Sequence, residues 1–389
     1  MPIPATLLGD LTPEAFLRDY WQQKPLLVRG ALPGFTSPLT PDELAGLACE
    51  DDGTARLLLE QGGAYPWEMR FGPFDPDHFA ALPPTHWTLL VQEVDRLVPA
   101  VADLLDAFRF LPNWRIDDVQ ISYAPPHGNA GAHLDSYDVF LLQAMGRRRW
   151  QIGHTPIAED EETFVPDLDV RILQHFEPDA AWVLEPGDLL YLPPRFPHYG
   201  VALDECMTFS IGFRAPSHAE IVEGFLAHAA ERVHPAARYG DPGLARPEAP
   251  GLIDPQTLAK VRAVLHTLLA DETFIDRWFG AYVTEPRRGY VPRPLDEPYT
   301  PEVLAAALAG GLRLRRSAVA YFAHLDHDDG ATLFACGAEY RLDDALAFAA
   351  HLLTGAAPLA AETLSPHLDN PAFAALLAEL VNEGYLLVE

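Results

Sequence analysis

The chain has 389 residues, of which 49% are hydrophobic, and its formal net charge is −29. This length predicts two or three domains with real cores, and no run of about 18 apolar residues is available to span a bilayer. The negative charge argues against binding to nucleic acid or anionic lipid and either favours cationic partners or simply promotes solubility. The first residues, MPIPATLLGDLTPEAF, lack the basic and apolar regions of a signal peptide, so we expect a cytoplasmic protein.

The N-terminal segment is predicted to form a helix followed by a short strand. Thr12 is a typical N-cap, Pro13 suits the first helical position, and Glu14 is favourable in the first turn. The apolar run 26–28 then predicts a strand. These elements would flank the domain that follows.

Between about 87 and 213 the chain consists of short apolar runs separated by Gly, Pro and Asp. The runs are WTLLVQ, VQISYAP, DVFLLQAM, RRWQIG, AWVLEPGDLLYLP and MTFSIGF. Many short strands with turn residues between them are typical of a closed antiparallel β architecture.

After residue 216 the pattern changes to helical periodicity. Segments 217–235 and 255–283 each carry an apolar stripe, which would either cover the barrel or form a dimer. The proline-rich stretch 285–301 predicts an extended linker.

The C-terminal part combines helices with short strands. We predict a helix near 301–309, strands near 312–324 and 331–335, two more helices and a last strand in GYLLVE. This order suggests a winged-helix-like module. The predicted domains are 1–215, 216–284 and 285–389.

Three residues form a candidate metal site. His133 and Asp135 are two positions apart, and residues at i and i+2 of a strand share one face. His198 follows at what we predict to be the end of an apolar strand. Two imidazoles and one carboxylate form the facial triad of non-haem Fe(II) oxygenases, which leaves positions open for a co-substrate and O2. An isolated His-x-Asp pair is more often a surface or core feature, and the distal His198 is what favours the triad.

Strand alternation identifies an arginine that requires a buried anion. In the run 147–152, Arg148 shares its face with Trp150 and Ile152, whereas the other face is polar and solvated. A guanidinium matches a carboxylate bidentately, which suits the distal carboxylate of 2-oxoglutarate. The alternative partner for Arg148 is a core acid such as Asp138.

The run 116–123 carries a second set of polar residues on one face. Asp118, Gln120 and Ser122 alternate with apolar residues. Ser122 is a candidate donor to the bound oxoacid, and Asp118 is a candidate ligand for a cationic substrate. The alternative is that this face simply meets solvent.

Four segments together resemble the JmjC-domain ribosomal oxygenases. They are FLRDYWQQKPLLVRG, HLDSYDVFLLQAMGRRRW, EPGDLLYLPPRFPH and SIGFRAPS. The resemblance covers nearly the whole chain and is strongest to the bacterial type, which hydroxylates the β-carbon (C3) of an arginine in large-subunit ribosomal protein L16. It implies an α+β fold, with a double-stranded β-helix (cupin/JmjC) barrel, a helical dimerisation domain and a winged-helix-like domain, and hence a homodimer.

The resemblance also implies roles for individual residues. The Fe(II) ligands would be His133, Asp135 and His198. Arg148 would bind the co-substrate 2-oxoglutarate, with Ser122 in the same pocket.

Substrate contacts are implied at two further positions. Asp118 and Ser210 fall where the family contacts its target arginine. Arg195 departs from the family, which usually has glycine before Phe-Pro-His, and this departure concerns substrate fit and not metal binding. The expected partner is therefore L16, with no membrane and no direct DNA binding.

Two other classes of function fit parts of the pattern. One is a related JmjC enzyme that hydroxylates histidine or demethylates lysine. The other is a cupin-like binding protein or a winged-helix regulator. The triad with Arg148 argues against a binding protein, and the net charge of −29 argues against a DNA-binding regulator.

Overall fold

The computed structural model describes residues 4, 6–51, 53–61, 67–166, 168, 171–244, 246, 249–286 and 290–389. The chain divides into two compact units, Met1–Ala215 with Ala356–Pro358 and Pro216–Gly355 with Leu359–Glu389. None of the helices in these described ranges combines the length and the apolar character needed to cross a bilayer. The division into three domains stays a prediction.

The first unit contains short helices and most of the strands. Its helices are α1 (Pro13–Asp19), α2 (Pro41–Leu47), α3 (Pro76–Ala80), α4 (Val94–Leu97) and α5 (Pro99–Ala102), with 3₁₀ helices at Asp103–Phe108, Asn113–Arg115 and Glu159–Glu161. Its strands are β1 (Leu26–Val28), β2 (Ala55–Glu60), β3 (Trp67–Phe71), β4 (Trp87–Val91), β5 (Ile116–Ala124), β6 (Asp138–Met145), β7 (Arg148–Ile152), β8 (Ala180–Leu184), β9 (Leu189–Leu192), β10 (His198–Ala202) and β11 (Cys206–Phe213). Thr12 caps α1 as predicted, accepting a hydrogen bond from the Ala15 N–H.

These strands form two antiparallel sheets. The larger sheet has the order β1-β9-β6-β11-β5-β4-β2-β3, and the smaller has the order β10-β7-β8. Every apolar run predicted between 87 and 213 forms a strand, so the antiparallel β prediction is confirmed.

Two apolar cores separate the layers of this unit. Side chains from both sheets meet in the smaller core, which contains Val139, Leu141, Trp150, Ile152, Leu184, Leu190 and Leu192. The opposite face of the larger sheet packs on the N-terminal helices, where the Phe16 ring lies 5.0 Å from the Tyr191 ring. The polar residues of the site share the inner face with the smaller core, because side chains alternate along each strand.

The second unit contains the long helices and a small mixed module. Its helices are α6 (His218–Glu231), α7 (Pro255–Leu269), α8 (Glu272–Thr284), α9 (Pro301–Ala309), α10 (Ala347–Thr354), α11 (Ala361–Leu364) and α12 (Pro371–Asn382), with a 3₁₀ helix at Ser365–His367. Its strands are β12 (Leu314–Arg316), β13 (Phe322–His327), β14 (Gly330–Ala335), β15 (Ala338–Asp343) and β16 (Leu386–Val388).

Helix α8 packs directly on the small sheet β13-β14-β15 of the second unit. A Cβ atom on Gly280 would lie 2.4 Å from the Phe334 ring, so only glycine permits this approach of helix to strand. On the other side of α8, Phe274 and Trp278 pack with Phe225 of α6. Helix α8 therefore contacts both α6 and the sheet.

The predicted linker 285–301 lies partly outside the described residues, at 287–289. Residues 295–299 are held against the end of α12, because the Leu295 N–H donates to the Asn382 carbonyl at 2.8 Å and the Tyr299 N–H donates to the Asn382 side chain at 2.7 Å. This part of the segment is therefore extended but anchored.

Candidate active site

His133, Asp135 and His198 converge on one point in the first unit. Their ligand atoms all lie within 4.8 Å of one another, and His198 Nε2 is 3.6 Å from Asp135 Oδ2. An isolated β-bridge joins the two histidines, with backbone hydrogen bonds of 3.0 and 2.9 Å in the two directions. The backbone thus fixes the relative position of residues 65 positions apart in the sequence.

Both imidazole rings are oriented by backbone carbonyls. The Nδ1 atom of His133 lies 3.0 Å from the Gly131 carbonyl, and that of His198 lies 3.0 Å from the Phe196 carbonyl. A carbonyl oxygen only accepts, so each Nδ1 carries the proton and each Nε2 offers a lone pair. Burial, and then the neighbouring His133, lower the pKa of His198 to about 4, which keeps this imidazole neutral at pH 7.

Two predicted features of this cluster were wrong. His198 does not end an apolar strand; β9 stops at Leu192 and His198 is the first residue of β10. The intervening sequence PPRFP forms a turn, since proline lacks the N–H that a ladder requires. His133 and Asp135 do not share a strand either, because they precede β6 and His133 is held by a single bridge.

A buried asparagine that sequence reasoning missed supports the His133 segment. Asn129 is 3% exposed, and its side-chain oxygen accepts from the Gly131 N–H at 3.0 Å. Gly131 has a φ of +75°, a conformation that favours glycine. The same asparagine donates to Glu60 of β2 at 3.0 Å. No sequence signal links it to the histidines apart from its position four residues before His133.

Arg148 is buried on β7 with an incomplete set of hydrogen bonds. The residue is 5% exposed, and Nη1 donates to Ser122 Oγ at 3.3 Å. Within the described part of the chain, its Nε and Nη2 have no hydrogen-bond partner. Arg149 beside it is exposed, as the predicted alternation requires. A buried guanidinium with two unused donors is suited to an incoming carboxylate.

The alternative partner for Arg148 was wrong, because Asp138 is bonded elsewhere. Its carboxylate accepts from Tyr191 at 2.6 Å, from Gln22 at 2.8 Å and from Arg115 at 2.9 Å. Asp138 therefore belongs to the core on the opposite face of the larger sheet.

Trp150 connects the arginine to the histidine cluster. Its ring lies 5.7 Å from the Arg148 guanidinium carbon and 5.8 Å from the His198 ring. The β7–β10 ladder pairs Ile152 with His198 at one end and Arg148 with Ala202 at the other. Arg148 and the cluster thus lie at opposite ends of one pair of strands.

A chain of buried hydroxyl and amide groups extends from Arg148. Ser122 Oγ donates to the Thr208 carbonyl at 3.4 Å, and Thr208 Oγ1 donates to Gln143 Oε1 at 3.1 Å. Gln143 in turn donates to the Met145 carbonyl at 2.8 Å. Sequence reasoning missed Thr208 and Gln143, although both are polar residues within apolar runs. Their bonds fix the groups around Arg148 before any ligand arrives.

Asp118 and Ser210 lie on the adjacent strands β5 and β11. Ser210 of β11 is half-buried and pairs with Gln120 of β5. The Asp118 carboxylate lies against Gly212 of β11, since a Cβ atom added to this glycine would be 3.4 Å from it. The Glu93 N–H donates to the Asp118 carboxylate at 3.1 Å. Residues opposite one another in an antiparallel pair share a face, and so do residues two apart on one strand. Ser210, Gln120 and Asp118 therefore all lie on the polar inner face.

Tyr137 is a further residue that sequence reasoning missed. The negative charge of Asp135, followed by burial and the charge of Asp118, raises the pKa of its phenol. Tyr137 is 43% exposed. This aromatic side chain is therefore partly open to solvent, two residues along the chain from Asp135. Its position two residues after Asp135 was the available signal.

Arg195 occupies a left-handed conformation, with φ of +69°, where the family was expected to have glycine. Its backbone N–H donates to the Asp135 carbonyl at 2.7 Å. The guanidinium donates to the Ile157 carbonyl at 2.7 Å and forms an ion pair with Glu162 at 2.7 Å. Arg195 therefore joins the turn before His198 to the segment 157–162.

Comparisons with known proteins agree with this geometry. A JmjC domain model matches residues 103–221, and a ROXA-like winged helix model matches residues 267–387. The ribosomal protein uL16 3-hydroxylase of Escherichia coli K12 is 36% identical over 96% of this chain and 97% of its own length. The chain belongs to the JmjC-domain ribosomal oxygenases. The predicted cupin-type barrel and winged-helix-like module are thereby confirmed.

Other relatives of this ribosomal oxygenase support the same family. A probable ribosomal oxygenase of Haemophilus influenzae is 42% identical over 215 residues, which cover 55% of this chain and 52% of that protein. The structure of YcfD, a ribosomal oxygenase from E. coli, in complex with cobalt and 2-oxoglutarate superposes with a TM-score of 0.83 and 36% identity. That superposition covers 97% of this chain and 98% of YcfD.

Proposed function

We propose that this oxygenase uses Fe(II) and 2-oxoglutarate to hydroxylate the β-carbon of an arginine in ribosomal protein L16 (uL16). The observation that carries the proposal is the buried Arg148, with two unused donors, on the same pair of strands as the cluster containing His198. The E. coli relative that acts on uL16 matches the chain along almost its full length.

The residues of the cluster fit Fe(II). Two imidazoles with free Nε2 atoms and one carboxylate are the donor set that non-haem iron oxygenases use. His133, Asp135 and His198 would hold the ion. Fe(II) with 2-oxoglutarate and O2 supplies the chemistry that inserts an oxygen atom into a C–H bond, with release of succinate and CO2.

The chain itself supplies orientation and exclusion of water. Arg148 would hold the distal carboxylate of 2-oxoglutarate through Nε and Nη2, with Ser122 beside it. Trp150 and Leu184, which lie beside Arg148 in the smaller apolar core, would limit the access of water. Because the Ser122 and Thr208 hydrogen bonds are already formed, little reorganisation is needed when the co-substrate binds.

Arginine suits the substrate side of the site. Asp118 supplies a carboxylate from β5, and the exposed Tyr137, two residues after Asp135, supplies an aromatic ring. A guanidinium donates two parallel hydrogen bonds to a carboxylate and also stacks on aromatic faces, which imidazole and ammonium groups do less well. Ser210 would add a hydrogen bond from the adjacent strand.

The experiment uses a peptide from L16 with its arginine, Fe(II), 2-oxoglutarate and O2, followed by tandem mass spectrometry. We expect one added oxygen on the arginine β-carbon and an equal amount of succinate. Asp118→Asn should lower kcat/KM for the peptide about tenfold or more, whereas Asp51→Asn removes the same charge at an exposed position and should have little effect. Oxidation of a histidine or loss of a lysine methyl group instead would support the related JmjC activities.

The other partner and localisation predictions follow from this function. A protein that modifies a ribosomal protein would work in the cytoplasm. Helix α7 has five exposed large apolar side chains and no buried residue, which supports the homodimer prediction through the region 216–284. The exposed residues are Leu258, Val261, Val264, Leu265 and Leu269.

A further inference from the structure

A second group of histidine and aspartate side chains lies in the other unit of the chain. His324 and Asp326 are two residues apart on β13 and so share a face, and His351 approaches them from α10. Their ligand atoms all lie within 4.8 Å of one another. His351 Nε2 is 3.0 Å from Asp326 Oδ1, and the two imidazole rings are 4.5 Å apart between centroids.

The His324 ring is held in one protonation pattern by a threonine. Thr354 Oγ1 donates its only proton to the Ala350 carbonyl at 2.8 Å. The same oxygen lies 2.8 Å from His324 Nδ1, so it accepts there and Nδ1 carries the proton. The Nε2 atom of His324 is then left with a lone pair. In metalloproteins, a hydrogen bond from the ring nitrogen that does not bind the metal orients the ligating histidine in the same way.

We propose that His324, Asp326 and His351 form a binding site for a divalent transition metal ion of the Zn²⁺ type. Two imidazoles and a carboxylate are donors that Zn²⁺ prefers, with water completing the coordination. The His351 and Asp326 side chains are 54% and 61% exposed, so both are free to adjust to an ion. The ion would link β13 to α10 and stabilise this unit.

The test uses the full chain carrying His133→Ala and Asp135→Ala, which disable the proposed iron site. After equilibrium dialysis against Zn²⁺, we expect one bound ion per chain by elemental analysis. Adding His351→Ala, or separately Asp326→Asn, should abolish that ion or weaken its binding at least about tenfold. Both side chains are mostly exposed, so neither change disturbs a core.

Two further variants distinguish Zn²⁺ binding at this specific site from nonspecific binding of metal to the protein. His327→Ala changes another histidine of β13, on the opposite face and bonded to Thr332, and should leave the ion bound. Thr354→Val removes the acceptor for His324 and should weaken Zn²⁺ binding about 10–100-fold. The proposal is overturned if the chain carrying only His133→Ala and Asp135→Ala binds no Zn²⁺. It is also overturned if adding His351→Ala and adding His327→Ala leave Zn²⁺ binding equal.

Discussion

Arg148 shows how one buried charge shapes the chemistry of this oxygenase. Removing a guanidinium from water without partners is unfavourable, and each unsatisfied buried donor costs about 1–3 kcal/mol. Nε and Nη2 of Arg148 are in that position within the described residues. An incoming carboxylate satisfies both atoms at once, so the pocket favours a dianionic co-substrate.

Replacing this residue gives a direct prediction at the scale of one side chain. Arg148→Met keeps the length of the side chain but removes the charged contact, so KM for 2-oxoglutarate should rise about tenfold to a hundredfold. Arg149→Met, at the exposed position next to it, should change KM less than about twofold. Steady-state succinate formation measures both values. Equal effects of the two substitutions would refute the assigned role of Arg148.

The sequence predicted individual site residues only where a local pattern exists. The spacing of His133 and Asp135 and the alternation around Arg148 are such patterns. Gln143 and Thr208 are bonded to each other across 65 positions, and no local pattern reveals such a pair. Predicting them requires the register of β6 against β11, which becomes known only with the fold.

At the scale of elements, a buried carboxylate on helix α4 forms a hydrogen bond to strand β5. The Asp95 carboxylate accepts from the Val119 N–H at 2.8 Å and is 6% exposed. Burial raises the pKa of Asp95 to about 7, and the nearby charge of Asp118 acts in the same direction. The folded state therefore binds a proton that the unfolded chain releases near pH 4.

This linkage predicts how stability depends on pH. A raised pKa in the folded state gives stability that is present below pH 4 and is lost as the pH rises through about 7. The side chain introduced by Asp95→Asn cannot ionise and still accepts from the Val119 N–H. At pH 8 the free energy of unfolding of this variant should therefore exceed that of the wild type by about 2–4 kcal/mol. Calorimetric melting at pH 5 and pH 8 measures the difference, with the exposed Asp160→Asn as control. A difference that does not grow with pH would contradict this role of Asp95.

The elements that sequence patterns missed are short, mixed or interrupted. β2, with sequence ARLLLE, fits a helix as well as a strand, and β10 contains a glycine within five residues. β15 is only six residues long, and its buried or half-buried residues alternate with exposed charged ones directly after β14. Each is held by pairing with neighbours that lie far away in the sequence or by a hairpin turn. Local propensity is weak evidence in such cases.

Helix α7 gives a prediction for assembly. Helices of about 15 residues are marginal in isolation, and this one has no buried side chain in the chain itself. Val261→Glu with Leu265→Glu should convert the expected dimer to monomer at micromolar concentration, as measured by sedimentation. Ala263→Glu on the opposite face adds charge to the same helix and should leave the dimer intact. A wild-type monomer would disprove the homodimer.

At the scale of the whole molecule, the net charge of −29 acts on the encounter with a basic substrate. Complementary charge raises association rates, and salt screens it over about 10 Å at 0.1 M and about 3 Å at 1 M. We expect kcat/KM for intact L16 to fall about tenfold or more between low and high salt, with kcat nearly constant. For a short peptide of zero net charge around the same arginine, kcat/KM should fall less over the same change in salt. If the two substrates respond alike, steering by the whole surface is excluded.

The most direct test of the proposed function is the state of L16 in cells. Cells that lack the gene for this oxygenase are complemented with the wild-type chain or with Asp135→Ala, and L16 from their ribosomes is analysed by tandem mass spectrometry. We predict one hydroxyl group on an arginine β-carbon with the wild-type chain and an unmodified arginine with Asp135→Ala. Unmodified L16 with the wild-type chain, or the same hydroxylated arginine with both, would contradict the assignment.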